Sequence, residues 1–145
     1  EQSVMPASAL AEHHGVSGSY LLKHLKTLVA PGILESVPGP SGGYRLARSP
    51  EDITLLDIVL AVEGDEPAFR CREIRQKGPC RLDASAFPKP CGIKRAMLRA
   101  EDAYRAALAA TRLSDIVTEF TSEADPRVLQ RGQDFIDKNH RPQSH

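Results

Sequence analysis

Residues 6–47 read PASALAEHHGVSGSYLLKHLKTLVAPGILESVPGPSGGYRLA, and the punctuation of this stretch decides the fold. Pro6 suits the first turn of a helix, where its missing N–H costs nothing. Ala9, Leu10 and His13 then recur at helical spacing until Gly15, a natural stop. Ser17 is a favourable N-cap for a second helix running to about Val29. Within it Leu21, Leu25 and Leu28 make one apolar stripe, and the other side carries Ser19, Leu22, Lys23 and Lys26. Pro31-Gly32 ends that helix. Ile33–Val37 predicts a strand, Pro38–Gly43 a turn-rich loop and Tyr44–Ala47 a returning strand. Gly42 and Gly43 are expected to supply positive φ at the reversal, with Arg45 just inside the return strand. Helix, turn, helix and hairpin in this order make a winged helix-turn-helix. A helix fits the major groove of DNA, and a wing reaches the neighbouring backbone or minor groove. The same geometry also serves domains that bind protein, so the local pattern alone leaves both uses open.

Outward from this stretch, Ser49-Pro50-Glu51 and Thr54-Leu55-Leu56-Asp57 are helix starts, the second a capping-box pattern with Asp in place of Glu. The helix that follows, to about Val62, is expected to turn Leu56, Val59 and Leu60 towards the winged core, and Gly64 ends it. From Gly92 to about Ala110 a long helix repeats Ile93, Met97, Ala100, Tyr104, Ala107 and Thr111 at alternating spacings of 4 and 3, a heptad-like seam. Such a stripe can pack on its own domain, but a winged domain this small has little core left to cover it, so a second copy is the other cover the pattern leaves open. Thr111 to Phe120 adds a short helix with Leu113, Ile116 and Val117. Asp125-Pro126 restarts a polar, weakly amphipathic segment with Leu129, Phe135 and Ile136, and Asn139–His145 reads as a frayed tail. The expected organisation is a winged helix-turn-helix domain over 1–66, a cysteine-bearing loop over 67–91, dimerisation helices over 92–120 and a C-terminal segment over 121–145. The fold class is mainly α with a small β-hairpin wing, plus a long dimerisation helix.

Composition supports a globular chain. The 145 residues are 41% hydrophobic and 26% charged, and no apolar run approaches the length of a bilayer span. No basic stretch leads into an apolar signal core, and three cysteines are too few for a secreted disulfide scaffold, so cytoplasm is the expected compartment and no membrane partner is expected. The formal net charge is zero, but it is segregated: +1 over residues 1–50, −5 over 51–70, +6 over 71–112 and −2 beyond. Local sign matters more than the total for a charged partner. No Gly-rich phosphate loop, HExxH or GxSxG pattern occurs, and His13, His14 and His24 form no triad pattern, so an enzyme is not expected.

All three cysteines, Cys71, Cys80 and Cys91, fall among Gly78, Pro79, Pro88 and Pro90, hence in a loop. Arg70, Arg72, Arg75, Lys77, Arg81, Lys89 and Lys94 surround them in sequence, and nearby cations favour the thiolate that ligates metal or meets oxidants. Cys91 also precedes the long helix, whose N-terminal N–H groups favour a thiolate. Zinc is disfavoured, since the loop has no Cys-x-x-Cys and no histidine.

Four segments carry a family resemblance. Val16-Ser17-Gly18-Ser19-Tyr20-Leu21, Leu34-Glu35-Ser36-Val37-Pro38-Gly39, Gly42-Gly43-Tyr44-Arg45-Leu46-Ala47-Arg48 and Ile53-Thr54-Leu55-Leu56-Asp57-Ile58-Val59 occur in one order. Together they resemble the IscR/NsrR-type winged-helix transcription regulators, the Rrf family, densely from Val4 to Gly64 and more loosely from Cys71 to Val117. The resemblance implies a homodimer, paired through the long helix, on double-stranded DNA with a palindromic operator. It assigns Ser17, Ser19, Tyr20 and Lys23 to the recognition helix, with Leu22 and Lys26 on the same side, and Gly42, Gly43 and Arg45 to the wing. Some relatives carry an acidic residue at the Leu22 position; leucine can touch a thymine methyl but cannot accept from cytosine, so a different operator is expected. The family also has a helix before the helix-turn-helix, which would precede Glu1, so a leading segment outside this sequence is expected.

For the loop, the resemblance implies a [2Fe–2S] sensor held by cysteines. The usual family spacing is shorter and more even than the eight and ten residues separating Cys71, Cys80 and Cys91. Cys71 and Cys91 better match a variant that uses two widely spaced loop cysteines with a carboxylate and a histidine from the partner's leading helix. A cluster-free disulfide switch is the second alternative and inert thiols the third. The expected function is a DNA-binding regulator that senses redox or iron–sulfur status through these thiols.

Overall fold

The structure, a computed structural model, describes residues 3–141. Pro6 stands at the N-cap of α1 (Ala7–His14), and Gly15 closes it in the left-handed conformation at φ +65°, with its N–H on the last-turn carbonyls. A side chain at that φ would be strained, which is why the stop is glycine. Ser17 caps α2 (Gly18–Val29) by accepting the Tyr20 N–H at 3.2 Å. Leu25 is buried in α2, and Leu21 and Leu28 are half-buried beside it. The stripe read from spacing is the packed face.

Strands β1 (Leu34–Val37) and β2 (Gly43–Leu46) pair antiparallel, with Glu35 opposite Arg45 and Ser36 opposite Tyr44. Met5 adds a further bridge to Tyr44 through two 2.9 Å backbone hydrogen bonds, so the chain just before α1 lies along the wing. Neither Gly42 nor Gly43 has positive φ; Gly39 (φ +96°) makes that turn. The pair is needed for a different reason. A Cβ on Gly42 would sit 2.2 Å from the Val37 carbonyl oxygen, and one on Gly43 would sit 2.3 Å from the Met5 carbonyl oxygen. Backbone-to-backbone closeness, not handedness, requires glycine there.

Helix α3 (Leu55–Glu63) starts from the expected capping box: Asp57 N–H to Thr54 Oγ1 at 3.1 Å, Thr54 N–H to Asp57 Oδ2 at 2.9 Å. Its Leu56, Val59 and Leu60 are half-buried, and the helix packs against α2. Helix α4 (Gly92–Ala110) is followed by α5 (Leu113–Glu123) and α6 (Pro126–Asn139). The α4–α5 junction is fastened to the start of α3, with Leu55 N–H on Thr111 O at 2.9 Å and Leu113 N–H on Ile53 O at 2.8 Å. Thr111 therefore lies beyond α4, half-buried, rather than on its seam.

The C-terminal region departs most from expectation. The segment read as weakly amphipathic is a fourteen-residue helix with half-buried Leu129, Gly132, Phe135 and Asn139 on one side. The Phe135 ring lies against His13 of α1, with centroids 4.2 Å apart. Nor does the tail fray at Asn139. Arg141 N–H donates to Val4 O at 3.0 Å, and its guanidinium reaches the carbonyls of Pro40 and Gly42 in the wing loop. The rest of the expected tail, 142–145, lies outside the described residues. A contact to residue 4 has no local signature, so the spacing of α6 alone could not announce it.

The chain divides into two compact units, Glu1–Gly64 with Ala109–His145, and Asp65–Leu108. Among the described residues, the buried apolar side chains Val4, Ala9, Ala11, Leu25, Ile33 and Ile53 all belong to the first. The second is built on α4 and the cysteine segment, with short helical turns at Ile74–Gln76 and Ala84–Ala86. No helix among the described residues is long and apolar enough to cross a membrane.

Candidate nucleic-acid interface and thiol pocket

In the first unit, α2 presents the side proposed from its sequence. Ser17, Ser19, Tyr20, Lys23 and Lys26 are exposed, Tyr20 by 58%. Ser17 is committed to its cap, and its hydroxyl stands 3.5 Å from that of Ser19. The Tyr20 ring meets the edge of His24 with centroids 4.6 Å apart, an i, i+4 pair not singled out from the sequence. Leu22 is half-buried, so only part of it is available to a ligand. Because Leu25 anchors the opposite face, these polar groups sit on a fixed rather than a flexible support.

The wing is less available. Arg45 donates Nε to Glu35 Oε2 at 3.0 Å, and its second guanidinium nitrogen is also 3.0 Å from that oxygen. The hydrogen bond and charge of Glu35 raise the Arg45 pKa, so the cation is held across the hairpin. This pair was legible in principle, since an acid and a base sit at facing positions of the two strands. Arg48, one strand-end further, is structural: it donates to Gly32 O and Asp52 O, each at 3.0 Å.

In the second unit, Cys71 and Cys91 line one pocket of about 350 Å³, whose walls also include Phe69, Ile74 and Ile93 and the arginines Arg70, Arg72 and Arg75. Cys80 is exposed and takes no part in it. The structure thus brings together two of the three thiols. Cys91 Sγ accepts the Lys94 N–H at 3.3 Å in the first turn of α4, and Cys71 Sγ accepts the Glu73 N–H at 3.4 Å. Glu73 has φ +46°, the one non-glycine residue with positive φ among those described. Its carboxylate grips Arg75 at 2.6 and 2.9 Å, and that bond holds the Glu73 carboxyl below its ordinary pKa. Arg75 lies over the Phe87 ring at 4.6 Å and donates to Lys89 O at 3.4 Å, so it staples the two ends of the loop. Both thiols also interact electrostatically with Arg75. A strained backbone residue between a thiol and its neighbouring cation is the sort of outlier that clusters at working sites.

A [2Fe–2S] cluster needs four ligands. Among the described residues no group of three or more His, Cys, Asp and Glu side chains comes together to hold a metal. Among the described residues the pocket offers two thiols, with its one carboxylate engaged by Arg75, two ligands short of a cluster. Along α4, Ile93, Met97 and Tyr104 are exposed by 68, 45 and 55%, while Leu98, Glu101, Arg105 and Leu108 on another side are half-buried.

The sequence pattern of the Rrf2 family, described as "Iron-dependent Transcriptional regulator", matches residues 1–119. YffB of Lactococcus lactis subsp. lactis, named as an HTH-type transcriptional regulator, is 34% identical over 119 residues, covering 82% of this chain and 75% of that protein. The HTH-type transcriptional regulator IscR of Vibrio parahaemolyticus is 34% identical over 80 residues, 55% of this chain but only 46% of its own length. Among solved structures, CymR, the global cysteine regulator of B. subtilis, superposes with a TM-score of 0.61 at 23% identity, covering 81% of this chain and 80% of that one, which shows a common fold. The winged helix of the first unit and these matches agree: the chain belongs to the Rrf2 family of DNA-binding transcriptional regulators and is not an enzyme.

Proposed function

We propose that the chain acts as a homodimer on a palindromic operator, with α2 as the reading helix and the Cys71/Cys91 pocket as its redox-responsive element. The observation that carries the DNA-facing part is the exposed row Ser17, Ser19, Tyr20, Lys23 and Lys26 on a helix anchored by Leu25. Lysines position the helix on phosphates, and the hydroxyls and the Tyr20 ring reach base edges. Arg45, Gly42 and Gly43 place the wing against the neighbouring backbone, with Arg45 sharing its charge between Glu35 and phosphate. The exposed apolar side of α4 supports pairing with a second copy, which sets two reading helices on related half-sites. Two thiols lining one pocket, both interacting with Arg75, support a disulfide-forming pair. Joining them would reorganise the loop at the start of α4 and alter the spacing of the two reading helices.

Fluorescence anisotropy with operator DNA tests this directly. Lys23→Ala, which removes one phosphate contact in each subunit, is expected to weaken binding about tenfold or more and to reduce the salt slope by about 2. Arg45→Ala should weaken it less, because that cation is already partly spent on Glu35. Sedimentation should show both variants as dimers. Unchanged affinity in both would overturn the assignment of the DNA face. Oxidation of the reduced protein should shift operator affinity in the wild type and leave Cys71→Ser and Cys91→Ser unmoved.

A further inference from the structure

The thiol pocket holds a charge arrangement that a bare disulfide switch does not require. Of its three arginines, Arg70 is paired with Glu66 at 2.6 Å and Arg75 with Glu73 at 2.6 Å. Arg72 is exposed and makes no hydrogen bond or ion pair among the described residues. Phe69, Ile74 and Ile93 supply apolar wall, and the volume of about 350 Å³ falls at the small end of ligand sites. An apolar recess lined by two thiols and by an arginine with no partner among the described residues matches a small, carboxylate-bearing sulfur compound. A guanidinium takes a carboxylate through two parallel hydrogen bonds, and the pocket's reactive groups are sulfur.

We infer that this pocket takes a low-molecular-weight disulfide bearing carboxylates and exchanges with it at Cys91. The inference rests on the thiol-switch reading of the same pocket and names its oxidant. The Cys91 thiolate attacks one sulfur of the bound disulfide. A new Sγ–S bond forms, the ligand's S–S bond breaks, and the departing half leaves as a thiolate that takes up the proton Cys91 has lost. Cys71 then attacks Sγ of Cys91, the second half leaves with the proton from Cys71, and a Cys71–Cys91 disulfide remains. Two protein thiols are oxidised and one small disulfide is reduced to two thiols. Cys91 goes first because its sulfur already accepts the Lys94 N–H at the start of a nineteen-residue helix. That end of a helix favours the anion.

The test treats the reduced full chain with glutathione disulfide, which carries carboxylates, or with cystamine, which carries only amines, and reads each cysteine by peptide mass spectrometry. Cys80, exposed outside the pocket, serves as reference within the same molecule. Cys71→Ser should trap the mixed disulfide on Cys91, with about tenfold preference over Cys80 for glutathione disulfide and none for cystamine. Arg72→Gln should bring the glutathione preference down to that of cystamine with an unchanged circular dichroism spectrum. Equal labelling of Cys91 and Cys80 by glutathione disulfide, or the same preference with cystamine, overturns the inference. Operator affinity is a separate readout. If peroxide oxidation shifts it while labelling is unselective, the switch stands and the ligand falls; selective labelling with unmoved affinity does the reverse.

Discussion

The two units of this chain are held together by different forces. The first encloses Val4, Ala9, Ala11, Leu25, Ile33 and Ile53, with Ile53 and Val4 fully buried. The second has no buried side chain among its described residues, and its Ile74, Leu82 and Ile93 are exposed by 76, 61 and 68%. What ties it is polar: Glu101 accepts the Ala68 N–H at 2.9 Å and Arg105 at 2.8 Å, and Arg105 also donates to Asp65 O at 2.9 Å. A dry core gives a reading helix a fixed orientation. A segment held by part-exposed ion pairs and backbone caps opens at low cost, which suits a region whose chemistry must be reachable.

Substitutions can break that contrast. The largest effect is expected from Ile53→Ala, which empties a fully buried site and should lower unfolding free energy by about 2–5 kcal/mol in urea titrations. Its counterpart Ile74→Ala should change stability by less than about 0.5 kcal/mol. An equal loss from both would mean that the second unit has an apolar core after all.

Thr54→Ala removes one half of the α3 capping box and should cost about 1 kcal/mol. Asp57 supplies the other half. Its pKa is lowered first by the Thr54 backbone N–H, then by the Thr54 hydroxyl and Arg48, against the opposing effect of burial. Stability from Asp57 is therefore fully present above the unfolded carboxyl value of about 4 and is lost as pH falls through the lower folded value. Melting temperatures followed from neutral to acid pH should drop less steeply in Asp57→Asn than in the wild type.

Among the polar substitutions the smallest expected effect is that of Glu101→Gln. The Glu101–Arg105 pair is only partly shielded from solvent, so global stability should fall by less than about 1 kcal/mol. The sharper readout is local: the Ala68 amide, whose acceptor is weakened, should exchange its hydrogen faster. Unchanged exchange would show that the second unit does not depend on its ion pairs.

Legibility in the sequence followed the same division. The helix-turn-helix, its Ser17 cap, the Gly15 stop, the Thr54–Asp57 box and the hairpin were all readable, because each depends on residues within a few positions of one another. The exposed face of α2 was readable too, since periodicity alone puts Lys23 and Lys26 opposite Leu25. Gly42 and Gly43 were correctly marked as special for the wrong reason. The carbonyl oxygen that crowds Gly43 belongs to Met5, far away in sequence. Cys71 and Cys91 share a pocket while Cys80 does not, which the spacing could suggest but not establish.

By itself, the sequence determined the local conformations, the winged helix-turn-helix order and the family, because helix periodicity, caps and turn residues act over one or two turns of chain. Only the tertiary structure decided what lies beside what. It set Phe135 against His13, Arg141 against Val4 and the wing, Arg45 against Glu35, and two thiols around one recess that Arg72 also lines. Such pairings join residues up to 137 positions apart, and their free energy comes from packing and charge complementarity that no short window of sequence contains.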